Sequence, residues 1–282
     1  MRAITTIAQL RHELDTHRAT GATVGFVPTM GYLHAGHQSL VRAAAAETDL
    51  VVVSIFVNPL QFAPDEDLES YPRDLDADTE RCRAAGASLV FAPTVEEMYP
   101  QPVWTTVHVG VVSEALEGAA RPTHFDGVAT VVSKLFGIVG PCRAYFGEKD
   151  FQQLAIVTRL AADLSAPVEV VGCPTVRESD GLAMSSRNVY LTAEERPQAA
   201  AINQALRLGC DLIRSGERDR SAVEAAMRAH IEAQPAARVD YVVAVDSTSL
   251  RPTDRLSGSV RVLAAVRFGS ARLIDNMGIE IS

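Results

Sequence analysis

Two histidines three positions apart are where this sequence first offers chemistry. They stand in Pro28-Thr29-Met30-Gly31-Tyr32-Leu33-His34-Ala35-Gly36-His37, directly after the apolar run Val24 to Val27. At the entry to a helix, that spacing lets both imidazoles face one side. The unpaired N–H groups of a helix start, and the dipole behind them, favour a negative group. Gly36 lets the backbone approach such a group closely. A structural histidine pair and zinc ligation by His-x-x-His are the alternatives, although no His-Glu-x-x-His or cysteine cluster stands nearby to complete a zinc site. Taken whole, with Met30 and Gly31 in its turn, the segment points to phosphate handling.

A second constellation is Met184-Ser185-Ser186-Arg187-Asn188, after Glu178-Ser179-Asp180-Gly181. Two hydroxyls and a guanidinium in one mobile stretch can wrap polyphosphate oxygens with charge-assisted hydrogen bonds. Taken alone, it reads as a helix-capping turn with a surface arginine. Paired with His-x-Gly-His, it resembles the nucleotidylyl-transfer superfamily, in which such a turn and a Lys-Met-Ser-Lys-Ser-like loop hold ATP from two sides. Here the Met-Ser core is kept, with Ser186 and Arg187 where that pattern has Lys and Ser.

Two further segments leave expected strands. Phe146-Gly147-Glu148-Lys149-Asp150-Phe151-Gln152-Gln153 passes from a strand into a helix, at the carboxyl-end rim where open parallel sheets bind ligands. Lys149 suits a phosphate, Asp150 a helix cap or a ribose hydroxyl, and Gln153 can aim an amide into the crevice; an ordinary helix start is the plain alternative. Asn58-Pro59-Leu60-Gln61-Phe62 leaves another strand at the same rim, with two amides suited to a small polar substrate. Arg121-Pro122-Thr123-His124-Phe125 could contribute from another loop. Asp74, Asp76 and Asp78 read as helix-start acids on a solvated face rather than a metal site. His12, His17, His108 and His230 show no constellation. No Gly-x-Gly-x-x-Gly follows the first strand, and Gly147-Glu148-Lys149-Asp150 lacks the spacing of a Walker A loop.

These segments need a frame. Apolar runs and amphipathic stretches alternate over the first ~175 residues, which predicts βαβ units and a parallel sheet. Expected strands are Val24–Val27, Leu50–Val57, Ser88–Ala92, Ala144–Phe146 and Val168–Val171. Expected helices run near 36–47, 75–85, 128–139 and 151–164. After about Thr175 the texture changes: Thr192 and Glu195 form a capping box, an Ala-rich helical pair follows, and three short alternating segments near 240–245, 260–266 and 272–275 suit a small antiparallel sheet. The 282 residues therefore divide into two domains joined near 175–190. A net charge of −9 argues against a surface that tracks nucleic acid or an anionic membrane. Four cysteines without a Cys-x-x-Cys pair fit reduced thiols, and no apolar run approaches a membrane span. The prediction is a soluble cytoplasmic protein.

The collinear set Pro28–His37, Ser54–Phe62, Tyr71-Pro72-Arg73, Phe146–Leu154, Asp180–Asn188 and Arg272–Asn276 closely resembles the pantoate–β-alanine ligase family. The resemblance implies a Rossmann-like parallel sheet with helices on both faces, in residues 1–175, binding ATP and pantoate. It implies a smaller α+β C-terminal lid domain in 176–282 that carries the Met-Ser-Ser-Arg loop at its start. The implied reaction uses ATP and Mg²⁺: pantoate becomes pantoyl adenylate with release of pyrophosphate, and β-alanine then displaces AMP. On this match His34, His37 and Lys149 are catalytic, with His37 the proton donor. ATP would be held by Met30, Gly31, His34, Gly36, His37, Gly147, Glu148, Lys149, Asp150, Val176, Met184, Ser185, Ser186 and Arg187. Gln61, Gln153 and Asn58 would serve pantoate and β-alanine. The match implies a homodimer and assigns no Mg²⁺ ligand. Tyr32 and Ala35 depart from the family pattern, which usually has a smaller or polar residue and an acid there. A nucleotidylyltransferase acting on another small acceptor is the rival reading.

Overall fold

The β-branched run Leu50–Ile55 is buried along nearly its whole length, as a strand covered on both faces must be. It is β3 of a six-stranded sheet built from β1 (Ala3–Ile4), β2 (Val24–Thr29), β3, β4 (Leu89–Phe91), β5 (Cys142–Gly147) and β6 (Val168–Cys173). The order is β1-β4-β3-β2-β5-β6, and every pairing is parallel. The computed structural model describes residues 3–63, 68–69 and 71–282. They form two units, Met1–Gly147 with Gln153–Pro174, and Glu148–Gln152 with Thr175–Ser282.

In the first unit the strands are joined by α1 (Ile7–Arg18), α2 (Ala35–Glu47), α3 (Leu75–Ala85), the short α4 (Val95–Met98) and α5 (Glu117–Ala120), then α6 (His124–Val139) and α7 (Phe151–Asp163). The chain leaves β2 toward β3 on one side and passes from β5 to β6 on the other. Right-handed crossovers then put helices on both faces. One face is filled by Val27, Leu33, Val41, Val51, Val53, Cys82 and Tyr145. Four elements of this unit lie outside the expected set: β1, α1 and the one-turn helices α4 and α5, whose four residues each are too few for a helical period. β1 has two residues, too few for any periodic signal, and α1 follows it with Thr6 as N-cap, accepting from the Gln9 N–H at 3.2 Å.

The second unit packs α8 (Glu195–Ala199), α9 (Ala201–Arg214) and α10 (Arg220–Glu232) with an antiparallel sheet of β7 (Ala237–Asp246), β8 (Gly258–Phe268) and β9 (Ala271–Ile281). Leu206, Ile213, Met227, Val262 and Phe268 lie at its centre. The reciprocal bonds expected of Thr192 and Glu195 are present at 3.0 and 3.2 Å. Residues 148–152 belong with this unit although they directly follow β5, a division the sequence does not announce.

Candidate active site

Three of the singled-out segments leave the carboxyl ends of three neighbouring strands. Met30–His37 follows β2, Asn58–Gln61 follows β3, and Gly147 ends β5. Because β2 lies between β3 and β5, these segments start along one edge of the sheet. Between β2 and β5 the strand order also reverses direction, and that is where open α/β sheets bind ligands.

In the turn after β2, Gly31 and Tyr32 both take positive φ, 86° and 51°. A non-glycine residue there costs about 1–2 kcal/mol. The offsetting contact is Asp78 on α3, whose carboxylate accepts the Tyr32 N–H at 2.7 Å and the Leu33 N–H at 2.8 Å. Asp78 is 1 % exposed, while Asp74 and Asp76 are exposed as expected. The reading of all three as a solvated face is therefore corrected at Asp78. It faces inward because it lies one turn beyond the N-cap Asp74, where α3 packs toward the turn. Ala35, the other departure, is exposed at the first position of α2.

The histidines close a reciprocal cap. His34 Nδ1 accepts the Gly36 N–H at 3.1 Å, and His37 Nδ1 accepts the His34 N–H at 3.3 Å. Their ring centroids lie 4.2 Å apart. An accepting Nδ1 places the ring proton of a neutral imidazole on Nε2, so each ring presents an N–H donor from its far side. Donors of this kind at a helix start suit phosphate oxygens.

The amide pair after β3 is arranged as strictly. Asn58, 1 % exposed, donates through Nδ2 to Gln61 Oε1 at 3.0 Å and to the Gly127 carbonyl at 3.1 Å. Its Oδ1 accepts from the Leu60 N–H at 3.3 Å and from the Tyr99 hydroxyl at 2.9 Å. Both amide hydrogens and both carbonyl lone pairs are thereby engaged within the chain, and Gln61 is left with its Nε2 end as donor. Burial pushes the Tyr99 phenol up to about 12, which keeps it a neutral donor. His124 Nδ1 donates to the Gln61 carbonyl at 3.0 Å and Arg121 Nη2 does so at 3.3 Å, so this pair fixes the Gln61 backbone. A Cβ at Gly127 would lie 2.1 Å from the Leu60 carbonyl oxygen, so only glycine lets α6 approach this turn. Gln153 is half-buried in the first turn of α7.

The remaining candidates lie in the second unit. Lys149 is in the 3-10 turn Glu148–Asp150, its Nζ 3.6 Å from Asp150 Oδ1 and its side chain 17 % exposed. Residues 176–184 fold back on themselves, with the Met184 N–H donating to the Val176 carbonyl at 2.9 Å and Arg177 bridging Ala183. Arg177 ties the base to β9 through a bidentate pair with Asp275 at 2.6 and 3.0 Å. Asp180, at the tip, is held below the usual carboxylate range by its hydrogen bonds from Arg196. Ser185 Oγ accepts the Arg187 N–H at 3.2 Å and caps the 3-10 turn Ser186–Tyr190, with Arg187 exposed. The local structure is thus the capping turn with a surface arginine, and the Ser185 hydroxyl hydrogen can still donate outward. Asp78 and Tyr99 are the participants that sequence reasoning missed in the first unit. No pattern marks them, since their contacts span 41 to 46 positions.

The chain matches the model of the pantoate-beta-alanine ligase family over residues 2–278. It is 51 % identical over 282 residues to the pantothenate synthetase of Moorella thermoacetica, with all of both chains covered. Among solved structures it matches the pantothenate synthetase of Thermus thermophilus at 50 % identity and a TM-score of 0.92, covering 98 % of this chain and 99 % of that one. It also matches the pantoate-beta-alanine ligase of Francisella tularensis, solved with beta-gamma ATP and beta-alanine, at 32 % identity and a TM-score of 0.79, covering 98 % and 97 %. With a family model spanning nearly all of its length and relatives at half identity or better, the chain belongs to the pantoate-beta-alanine ligase family.

Proposed function

We propose that this chain joins (R)-pantoate to β-alanine in two half-reactions. The pantoate carboxylate attacks the α-phosphate of ATP, forming pantoyl adenylate and releasing pyrophosphate. The β-alanine amine then attacks the acyl carbon, forming the amide of pantothenate and releasing AMP, with the amine proton lost to solvent. The first step needs no protein nucleophile. It needs donors preorganised where negative charge grows on the phosphates.

The observation that carries this reading is the reciprocal cap of His34 and His37, which directs two Nε2–H donors from a helix start at the sheet's switch point. In this reading the two imidazoles bond phosphate oxygens through Nε2–H, and His37 is the proton donor in its own hydrogen bond to the phosphate. Met30, Gly31, Gly36, Gly147, Glu148, Asp150, Val176 and Met184 line the nucleotide. Lys149 balances charge on the α-phosphate, and Ser185, Ser186 and Arg187 bond the outer phosphates. Gln61 and Gln153 hold pantoate's hydroxyl and carboxylate oxygens. Asn58 serves the same substrate through Gln61, because its own hydrogen-bonding positions are filled.

Among the described residues no group of three or more His, Cys, Asp or Glu side chains could hold a metal. That fits a Mg²⁺ ion that arrives with the triphosphate, since Mg²⁺ keeps its waters and bonds phosphate oxygens with few protein ligands. When bound, it supplies neutralising charge at the phosphates. No helix among the described residues is long and apolar enough to cross a membrane. The family likeness supports a cytoplasmic homodimer, which sedimentation would read as twice the 30.3 kDa chain mass. Pantoate labelled with ¹⁸O in its carboxylate tests the intermediate. One label should appear in AMP and one in the amide, whereas AMP free of label would exclude an acyl adenylate.

A further inference from the structure

Asn276 on β9 holds the turn that carries Lys149. Asn276 directs both amide hydrogens at it: Nδ2 donates to the Glu148 carbonyl at 2.9 Å and to the Lys149 carbonyl at 2.8 Å. The amide oxygen of Asn276 accepts from Arg261 Nε on β8 at 2.7 Å. The same guanidinium donates through Nη2 to Glu148 Oε2 at 2.9 Å, and its Cζ lies 3.7 Å from the centre of the Phe151 ring. One planar guanidinium therefore engages Asn276, Glu148 and Phe151 at once, from nitrogens held in a fixed geometry.

The surrounding chain is shaped around this group. Arg261 lies opposite Gly278 in the β8–β9 register, and a Cβ at 278 would come within 2.7 Å of Arg261 Nη1. Asp275 Oδ1 accepts the Asn276 N–H at 2.7 Å while its carboxylate grips Arg177. Arg261, Asp275 and Asn276 are 9 %, 4 % and 4 % exposed. A buried network with its polar groups paired is rigid. The lysine side chain, by contrast, is a flexible four-carbon stem, so the place its ammonium can reach depends on where its backbone is fixed.

We propose that Asn276 and Arg261 are positioning residues for Lys149. This rests on the reading of Lys149 as the cation that meets the α-phosphate. Two consecutive carbonyls pinned by one amide set the direction of the lysine's Cα–Cβ bond, and Arg261 keeps that amide from rotating. A shift of about 1 Å at the reacting group can cost on the order of 10²-fold in rate.

The test is a kinetic cycle on the full-length chain, with melting temperature measured for every variant. Asn276→Ala should lower kcat by about 10- to 100-fold, with the KM values of pantoate and β-alanine changed less than about twofold. Arg261→Lys should lose less. In a Lys149→Ala background, adding Asn276→Ala should lower kcat by less than about threefold, because the group it positions is gone. Wild-type kcat in Asn276→Ala, or losses that multiply fully in the double variant, would overturn the proposal while leaving Lys149 in its role. Wild-type kcat in Lys149→Ala would overturn the role of Lys149 and the proposal with it. Should Asn276→Ala fail to fold, Arg261→Lys in the same cycle decides, with fully multiplying losses against the proposal.

Discussion

His37 Nδ1 accepts the backbone N–H of His34 at 3.3 Å, so the two candidate phosphate donors also cap the helix that presents them. His34 Nδ1 does the same for Gly36. The cap uses Nδ1 and the proposed phosphate contact uses Nε2 of the same ring, so substitution can separate them. Asparagine puts a carbonyl oxygen near the Nδ1 position and nothing near Nε2. His34→Asn should therefore keep the cap and lose less stability than His34→Ala, while losing turnover by roughly 10²–10³, the usual loss for one transition-state donor. His34→Ala should lose the same turnover and also about 1 kcal/mol of stability. Thermal melts beside steady-state rates decide; an Asn variant with near-normal turnover removes His34 Nε2 from the reaction.

Gln61 and Gln153 are proposed to meet pantoate. Gln61→Ala or Gln153→Ala leaves a substrate oxygen poorly paired, at a cost of about 1–3 kcal/mol. Pantoate KM should rise much more than ATP KM. Asn58→Ala should reproduce the Gln61 effect with a lowered melting temperature, because it frees the Gln61 amide and strips the Tyr99 hydroxyl of its acceptor. Equal rises in both KM values would place these amides elsewhere.

Asp78→Asn tests the support beneath the histidine turn. The substitution sets an amide NH₂ against one of the backbone N–H groups that the carboxylate now accepts. An unpaired buried donor costs about 1–3 kcal/mol. The melting temperature and kcat should fall together. Full activity with unchanged stability would show that Tyr32 and Leu33 hold their conformation without Asp78.

Much of the sheet was legible because strands such as Leu50–Ile55 and Val168–Cys173 are short runs rich in β-branched residues, with α2 and α3 following β2 and β3 at helical spacing. Leu75–Ala85 appears with the bounds its periodicity predicts. The histidine turn and the Met-Ser-Ser-Arg loop stand out because the residues of each are adjacent in sequence. What stayed hidden is non-local. Asp78 shares its two-residue spacing with exposed acids and differs only in what α3 packs against. Asn276 and Arg261 reach residues more than 100 positions away, and no periodicity records a contact of that span.

Burial raises the thiols of Cys82 and Cys142 to about 12 each. Thiolate, not thiol, reacts with alkylating reagents. At pH 8 the native chain should be labelled at these positions about 10³-fold more slowly than the unfolded chain, whose cysteines titrate near ~8.5. A folded-state pKa above the unfolded one also means that their contribution to stability is complete below about pH 8.5 and declines as the pH rises further. Mass spectrometry after brief iodoacetamide exposure reads the first effect; rapid native labelling at Cys82 would contradict the buried site.

Pyrophosphate exchange decides whether an acyl adenylate forms before the amine acts. The chain is incubated with ATP, Mg²⁺, pantoate and labelled pyrophosphate, without β-alanine. An enzyme that stabilises the transition state for adenylation also catalyses its return, so label should enter ATP, and it should stop entering when pantoate is left out. A nucleotidylyltransferase with another acceptor would show no dependence on pantoate. Exchange that appears only after β-alanine is added would contradict the two-step account.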